Sequence, residues 1–231
     1  MMWALFYFVS MEKIIVYPAS RVFHNDVMPA VHSAIANSGA DTIWIMTDTE
    51  DFPNQLPDNV HTIDVSKQEW FKPGSPNYRN EYSFICLVRV ALAKLFPDAD
   101  RILSLDADTI IEQDVSELWN LDMQDYYLAG VPEALLSNRL RRPYINMGMA
   151  FFNLEKIRED HLDDKMIEDL NHKWYQWVEQ DCINENTVGK VLVLGPEYNA
   201  SQFSDPCDYP KIWHFAYTFG WQNKEVVQKY K

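Results

Sequence analysis

The sequence predicts an α/β fold, a mainly parallel central sheet flanked by helices, and three observations carry that expectation. Short apolar runs bounded by turn residues alternate with longer stretches of helical period. The chain has 231 residues, 47% of them hydrophobic, enough for one large domain with a buried core. No internal repeat, low-complexity tract or linker divides it.

Strands are expected over 14–17, 43–46, 60–64, 101–105, 126–131, 150–153 and 191–194, with a further short apolar strand around 211–215. A first helix is expected over 26–38, with Asp26 as N-cap and Gly39 as the residue just past its end. A second, 82–96, repeats apolar residues at Ile85, Val88, Leu92 and Leu95, which puts one stripe on the sheet, and Pro97 ends it. Two more helices are expected over 160–174 and 179–188, and 71–77 is a loop by composition. Met11 begins a conventional strand opening, so residues 1–10 read as an N-terminal extension and 11–231 as the domain.

Lys and Arg total 20 against 34 Asp and Glu, a net charge of −14, the wrong sign for a partner bound through a phosphate backbone; no nucleic acid is expected. The apolar stretch 1–9 is far short of the roughly 20 residues that span a bilayer. It also lacks the basic start and small-residue cleavage site of a secretory signal. Cys86, Cys182 and Cys207 are odd in number, widely separated and without C-x-x-C, which fits a reducing compartment. The expected location is the cytoplasm, with no integral membrane segment.

The tripeptide Asp-Ala-Asp occurs twice, at 98–100 and 106–108. The first lies in the turn before a strand. The second, Asp106-Ala107-Asp108, follows the strand directly, and ligands of open α/β sheets bind outside the carboxyl ends of strands. Two carboxylates there either cap the following turn and stay solvated, or converge on one hard divalent cation that also takes oxygens from a diphosphate. Arg89 sits on or beside the inward stripe of the second helix, where a buried guanidinium needs carboxylates, phosphates or an aqueous cleft. Its alternatives are a structural ion pair with an aspartate and a contact to an anionic ligand.

Taken in order, Tyr82, Arg89, the run 101–108, Tyr144-Ile145-Asn146-Met147-Gly148, Glu179-Gln180-Asp181-Cys182-Ile183-Asn184 and Ile212-Trp213-His214 resemble the retaining glycosyltransferases of family 8, which include glycogenin and bacterial lipopolysaccharide galactosyltransferases. The resemblance covers roughly residues 80–215. It implies a GT-A fold, a single Rossmann-like domain, and transfer of a hexose with retention from a nucleotide sugar, a UDP-hexose such as UDP-glucose or UDP-galactose, to a glycan or other hydroxyl acceptor. It also implies Mn²⁺, or Mg²⁺, as cofactor.

Position by position, the resemblance makes Asp106, Asp108 and His214 the metal ligands, with Ala107 between the aspartates at the donor. Arg89 corresponds to the basic residue that reaches the donor. Asn146, Met147 and Gly148 correspond to the segment lining the donor sugar and acceptor, and Glu179 and Gln180 to the acidic-Gln pair near the reacting carbon. Each has a plainer reading. His214 alone would be a satisfied core histidine, Asn146–Gly148 a strand-opening turn and Gln180 a surface residue. Trp174-Tyr175-Gln176-Trp177 reads as core, because aromatics at helical spacing usually are. Arg139-Leu140-Arg141-Arg142 is a basic cluster, either a solvated loop or an attraction for an anionic acceptor.

The pattern breaks after His214. The family runs to a Gly and then Lys-Pro-Trp, whose lysine grips the diphosphate, whereas this chain continues Phe215-Ala216-Tyr217-Thr218-Phe219-Gly220-Trp221 and next offers Lys224. The nucleoside end, Tyr17-Pro18-Ala19-Ser20, departs from the family as well. The expected route is front-face attack of the acceptor hydroxyl, with the Gln180 dipole supporting charge at the anomeric carbon. The alternatives are a nucleotide-sugar-binding module without turnover, and a metal-dependent nucleotidyltransferase or pyrophosphatase. There is no P-loop, G-x-G-x-x-G or G-x-S-x-G.

Overall fold

The computed structural model describes residues 12–52, 55–78 and 84–231. The extension 1–10 and Tyr82 lie outside the described residues. The elements run β1 (Ile14–Pro18), α1 (His24–Asn37), β2 (Thr42–Thr47), β3 (Val60–Asp64), α2 (Phe84–Val88), α3 (Leu92–Leu95), β4 (Arg101–Leu105), β5 (Thr109–Ile111) and β6 (Leu128–Pro132). They continue with α4 (Ala134–Leu140), β7 (Ile145–Asn153), α5 (Leu154–Glu159), α6 (Leu162–His172), α7 (Val178–Asn186), β8 (Val191–Val193), β9 (Ile212–His214) and α8 (Glu225–Gln228).

Among the described residues, seven strands form one sheet in the order β3-β2-β1-β4-β7-β6-β8. β1 pairs in parallel with β2 and β4, and β2 with β3. β7 is the antiparallel member, paired with β4 on one side and β6 on the other. Alternate residues of β1 enter opposite layers, Ile14 and Val16 against α2, α3 and α5–α7, and Ile15 and Tyr17 against α1. Burial on both faces is why the parallel strands read as continuous apolar runs. The expected mainly parallel α/β architecture is the one observed.

Several boundaries differ for identifiable reasons. The strand expected at 150–153 starts at Ile145, and all nine of its residues are buried; Asn146 and Gly148 interrupt the apolar run and hide its first half. The helix expected over 82–96 is broken between α2 and α3 by a 3₁₀ turn at Arg89–Ala91. α1 starts at His24, which leaves Asp26 inside the first turn and not at the N-cap, whereas Gly39 does end it at φ +64°. Residues 173–177 form the connection between α6 and α7, so helical spacing does not apply to them. Of that aromatic segment only Tyr175 is core, while Trp174 and Trp177 are 62% and 36% exposed. The basic cluster straddles the end of α4: Arg139 and Leu140 are in its last turn, while Arg141, left-handed, and Arg142 lie in the turn beyond it, with the Arg142 guanidinium donating to the Asn184 carbonyl at 3.1 Å.

Candidate active site

β1 and β4 are adjacent strands whose connections leave toward opposite edges of the sheet, and a crevice opens at such a switch point. Because β7 is antiparallel, its first residues lie beside the last residues of β4, with Leu105 opposite Met149 and the Asp106 N–H donating to the Gly148 carbonyl at 2.9 Å. The cleft there has a volume of about 600 Å³. Every site residue read from the sequence lines it: Arg89, Asp106, Ala107, Asp108, Asn146, Met147, Gly148, Glu179, Gln180 and His214.

His214 arrives from far along the chain through the two-stranded sheet of β5 and β9, which places it opposite Thr109. Its Nε2 lies 3.7 Å from Asp106 Oδ2 and 3.5 Å from Asp108 Oδ1. One ligand atom from each residue falls within 4.8 Å of the other two. Two oxygen or nitrogen donors each roughly 2.1 Å from a single ion lie no more than about 4.2 Å apart, so both measured separations suit a shared cation. The chemistry fits as well, since two carboxylates and an imidazole leave further positions for phosphate oxygens. Burial pushes the Asp108 carboxyl above the ordinary carboxylate range, and Asp106 adds to the rise against the opposing pull of His214.

Gly148 makes room for this histidine. A Cβ at that position would fall less than 3.0 Å from three atoms of the His214 ring. Arg89 is 2% exposed and spends its guanidinium inside the protein: it donates to Asp106, to the Met147 carbonyl at 2.8 Å and to Glu179 Oε1 at 3.4 Å. It therefore braces the first aspartate against the cleft wall. Glu179 is itself buried with Oε2 lacking a partner among the described residues, and burial pushes its carboxyl up to about 7 despite Arg89. Just before it Val178 holds φ +35°, costly for a β-branched residue, and this kink turns Glu179 and Gln180 into the cleft.

Two residues of the site escaped the sequence reading. Glu133 accepts from Asn146 Nδ2 at 2.8 Å and from Gln180 Nε2 at 3.0 Å. Asn199, 1% exposed, lies 3.0 Å from His214 Nδ1. Glu133 follows a predicted strand, where the carboxyl-end rule could have flagged it; nothing in the sequence marks Asn199. None of the three arginines of the basic cluster lines the cleft, and Lys224 lines a smaller cleft beside it.

The sequence model of Glycosyl transferase family 8 matches residues 35–215. The glycosyltransferase GlyA of Streptococcus pneumoniae serotype 4 is 25% identical over 224 residues, 89% of this chain and 32% of GlyA. The lipopolysaccharide 1,2-glucosyltransferase of Escherichia coli K12 is 30% identical over 112 residues, 43% of this chain and 33% of the enzyme. The chain spans less than half the length of the curated relatives it matches. Among solved structures, the galactosyltransferase LgtC in complex with donor and acceptor sugar analogues superposes with TM-score 0.74 at 19% identity, covering 94% of this chain and 96% of LgtC. That likeness shows the GT-A fold.

Proposed function

The chain belongs to glycosyltransferase family 8, and from that premise we propose that it is a metal-dependent retaining enzyme whose GT-A domain spans residues 11–231. It moves a hexose from a nucleotide sugar, UDP-glucose or UDP-galactose, to a glycan or other hydroxyl acceptor. The observation that carries this reading is the charge of the cleft. Five carboxylates line it, from Asp26, Asp106, Asp108, Glu133 and Glu179. Arg89 is the one cation among the described lining residues, and its terminal nitrogens are engaged. A diphosphate entering such a site meets like charge on every side, so it needs a divalent cation as its counterpart.

Asp106, Asp108 and His214 would hold Mn²⁺ or Mg²⁺, which when bound supplies charge neutralisation to the departing diphosphate. Arg89 holds Asp106 in its orientation through the guanidinium contact. Asn146, Met147 and Gly148 form the wall along which the donor hexose lies, and Gly148 leaves the room that the His214 ring fills. The Gln180 carbonyl, held by the Met147 N–H at 2.9 Å, offers its free lone pair toward positive charge developing at the anomeric carbon. The bond from that carbon to the diphosphate breaks, the acceptor oxygen bonds to the same face, and the hydroxyl proton passes to the departing phosphate oxygen. Glu179, buried against Arg89, acts through its field on this centre.

The test is nucleoside-diphosphate release from a panel of UDP- and GDP-sugars with Mn²⁺, using wild type and Asp106→Asn. Release from one sugar, lost in the variant, is expected. Release of a nucleoside monophosphate or of pyrophosphate would point instead to a nucleotidyltransferase or pyrophosphatase. Metal-dependent UDP binding without turnover would leave a binding module, the reading that the missing Lys-Pro-Trp lysine favours.

A further inference from the structure

From the cleft wall to Asn199 behind it runs a chain of side chains whose hydrogen-bond directions are fixed by two backbone groups. The Gly148 N–H donates to Asn146 Oδ1 at 2.9 Å, so that atom is an acceptor. Asn199 approaches the same oxygen at 3.0 Å and must present its NH₂ there. Its carbonyl oxygen therefore faces His214 Nδ1, 3.0 Å away, and that nitrogen must carry the proton. In the neutral ring Nε2 is then a bare lone pair, and it is the nitrogen turned to Asp106 and Asp108.

The other direction is fixed in the same way. With its oxygen engaged, Asn146 points its NH₂ at Glu133 Oε1, 2.8 Å away. The Met147 N–H donates to Gln180 Oε1 at 2.9 Å, which turns the Gln180 NH₂ to the same Glu133 oxygen at 3.0 Å. Every donor along His214, Asn199, Asn146 and Glu133 thus points toward one carboxylate, which receives Gln180 from the other side. Asn199, Asn146 and His214 are 1%, 7% and 6% exposed, so water does not substitute for these bonds.

We propose that Asn199 is a positioning residue that holds His214 as its Nδ1–H tautomer with Nε2 aimed between the two aspartates, and that Asn146 and Glu133 couple this histidine to the orientation of Gln180. The part of the proposal that concerns metal affinity rests on the metal reading above. A ligand imidazole whose second nitrogen donates to a fixed acceptor is locked in tautomer and ring angle, and loss of such a partner typically lowers metal affinity about 10- to 100-fold.

The experiment combines two readouts on wild type, Asn199→Leu and Asn199→Asp, each checked for folding by circular dichroism and thermal melting. In metal-free protein, ¹⁵N–¹H NMR of the His214 ring is expected to show the proton on Nδ1 in wild type and in Asn199→Asp, which keeps an acceptor at that place, and to show it redistributed in Asn199→Leu. Mn²⁺ titration followed by electron paramagnetic resonance is expected to give a dissociation constant about 10- to 100-fold weaker for Asn199→Leu and near wild type for Asn199→Asp. A wild-type ring protonated at Nε2 alone, or a folded Asn199→Leu that binds Mn²⁺ as tightly as wild type, overturns the proposal. If Asn199→Leu does not fold, the wild-type tautomer and its retention in Asn199→Asp decide. Wild type that fails to bind Mn²⁺ sinks the metal reading, and the tautomer still decides the assignment of Asn199.

Discussion

Gly148→Ala tests how tightly the strand β7 and the histidine are fitted. Gly148 does not adopt positive φ, so an alanine there has no backbone penalty, and its smaller unfolded-state entropy alone would stabilise by about 0.4–1 kcal/mol. The contact reverses that sign. The new Cβ would lie 2.1 Å from His214 Cε1 and 2.2 Å from Nδ1, where ordinary contact starts at 3.4 Å, so the ring must withdraw by about 1.3 Å. β7 cannot yield instead, because the Gly148 carbonyl accepts from Asp106 at 2.9 Å and its N–H donates to Asn146 at 2.9 Å. Withdrawal stretches the 3.0 Å bond to Asn199, a loss of about 1 kcal/mol. The overpacking itself costs about 1–3 kcal/mol. The net destabilisation is then roughly 1–3 kcal/mol, a melting point lower by about 2–12 °C for a chain of this length. Displacing one of the three proposed ligands should also weaken Mn²⁺ binding at least about tenfold. The assay is a thermal melt with and without Mn²⁺ beside a direct Mn²⁺ titration. A melting point that rises, with unchanged affinity, would refute the reasoning.

Further outcomes follow from the charges around Arg89. Arg89→Met leaves Glu179 buried without its cation, a loss of about 3–5 kcal/mol in urea unfolding. Adding Glu179→Gln should restore part of it, and strict additivity of the two changes would count against the pairing. Glu179 has a folded pKa of about 7, raised mainly by burial, above its unfolded value. The native state therefore holds this proton where the unfolded chain has lost it, so stability is complete below the unfolded pKa and declines as pH rises through about 7. The decline amounts to roughly 3 kcal/mol. In metal-free buffer Glu179→Gln should flatten that part of the stability-against-pH curve, and an unchanged slope would show that another group is responsible.

What could be read from the sequence was whatever depends on local pattern. The parallel strands announced themselves because both faces are covered, and Asp106 and Asp108 did so by standing directly after one of them. Arg89 was visible as a charge on an apolar stripe, yet its partner Glu179 lies 90 positions away and only the packing of α7 beside the Arg89 turn unites them. The first half of β7 was hidden by Asn146 and Gly148, the polar and small residues that make it part of the site. α4 buries none of its residues and so carries no periodic signal. Asn199 reaches His214 through the bridge between Ala200 and Trp213, a pairing that no nearby residue foretells. The tryptophans at 174 and 177 were misjudged because helical spacing was assumed across a connection.

On the proposed function, this acidic cleft accepts a diphosphate only together with a divalent cation. The most direct measurement of that is calorimetric titration of UDP into wild type in excess chelator, into wild type with Mn²⁺, and into Asp108→Asn with Mn²⁺. Binding in the second case alone is the predicted result. UDP that binds equally well in chelator, or undiminished in Asp108→Asn, would contradict it.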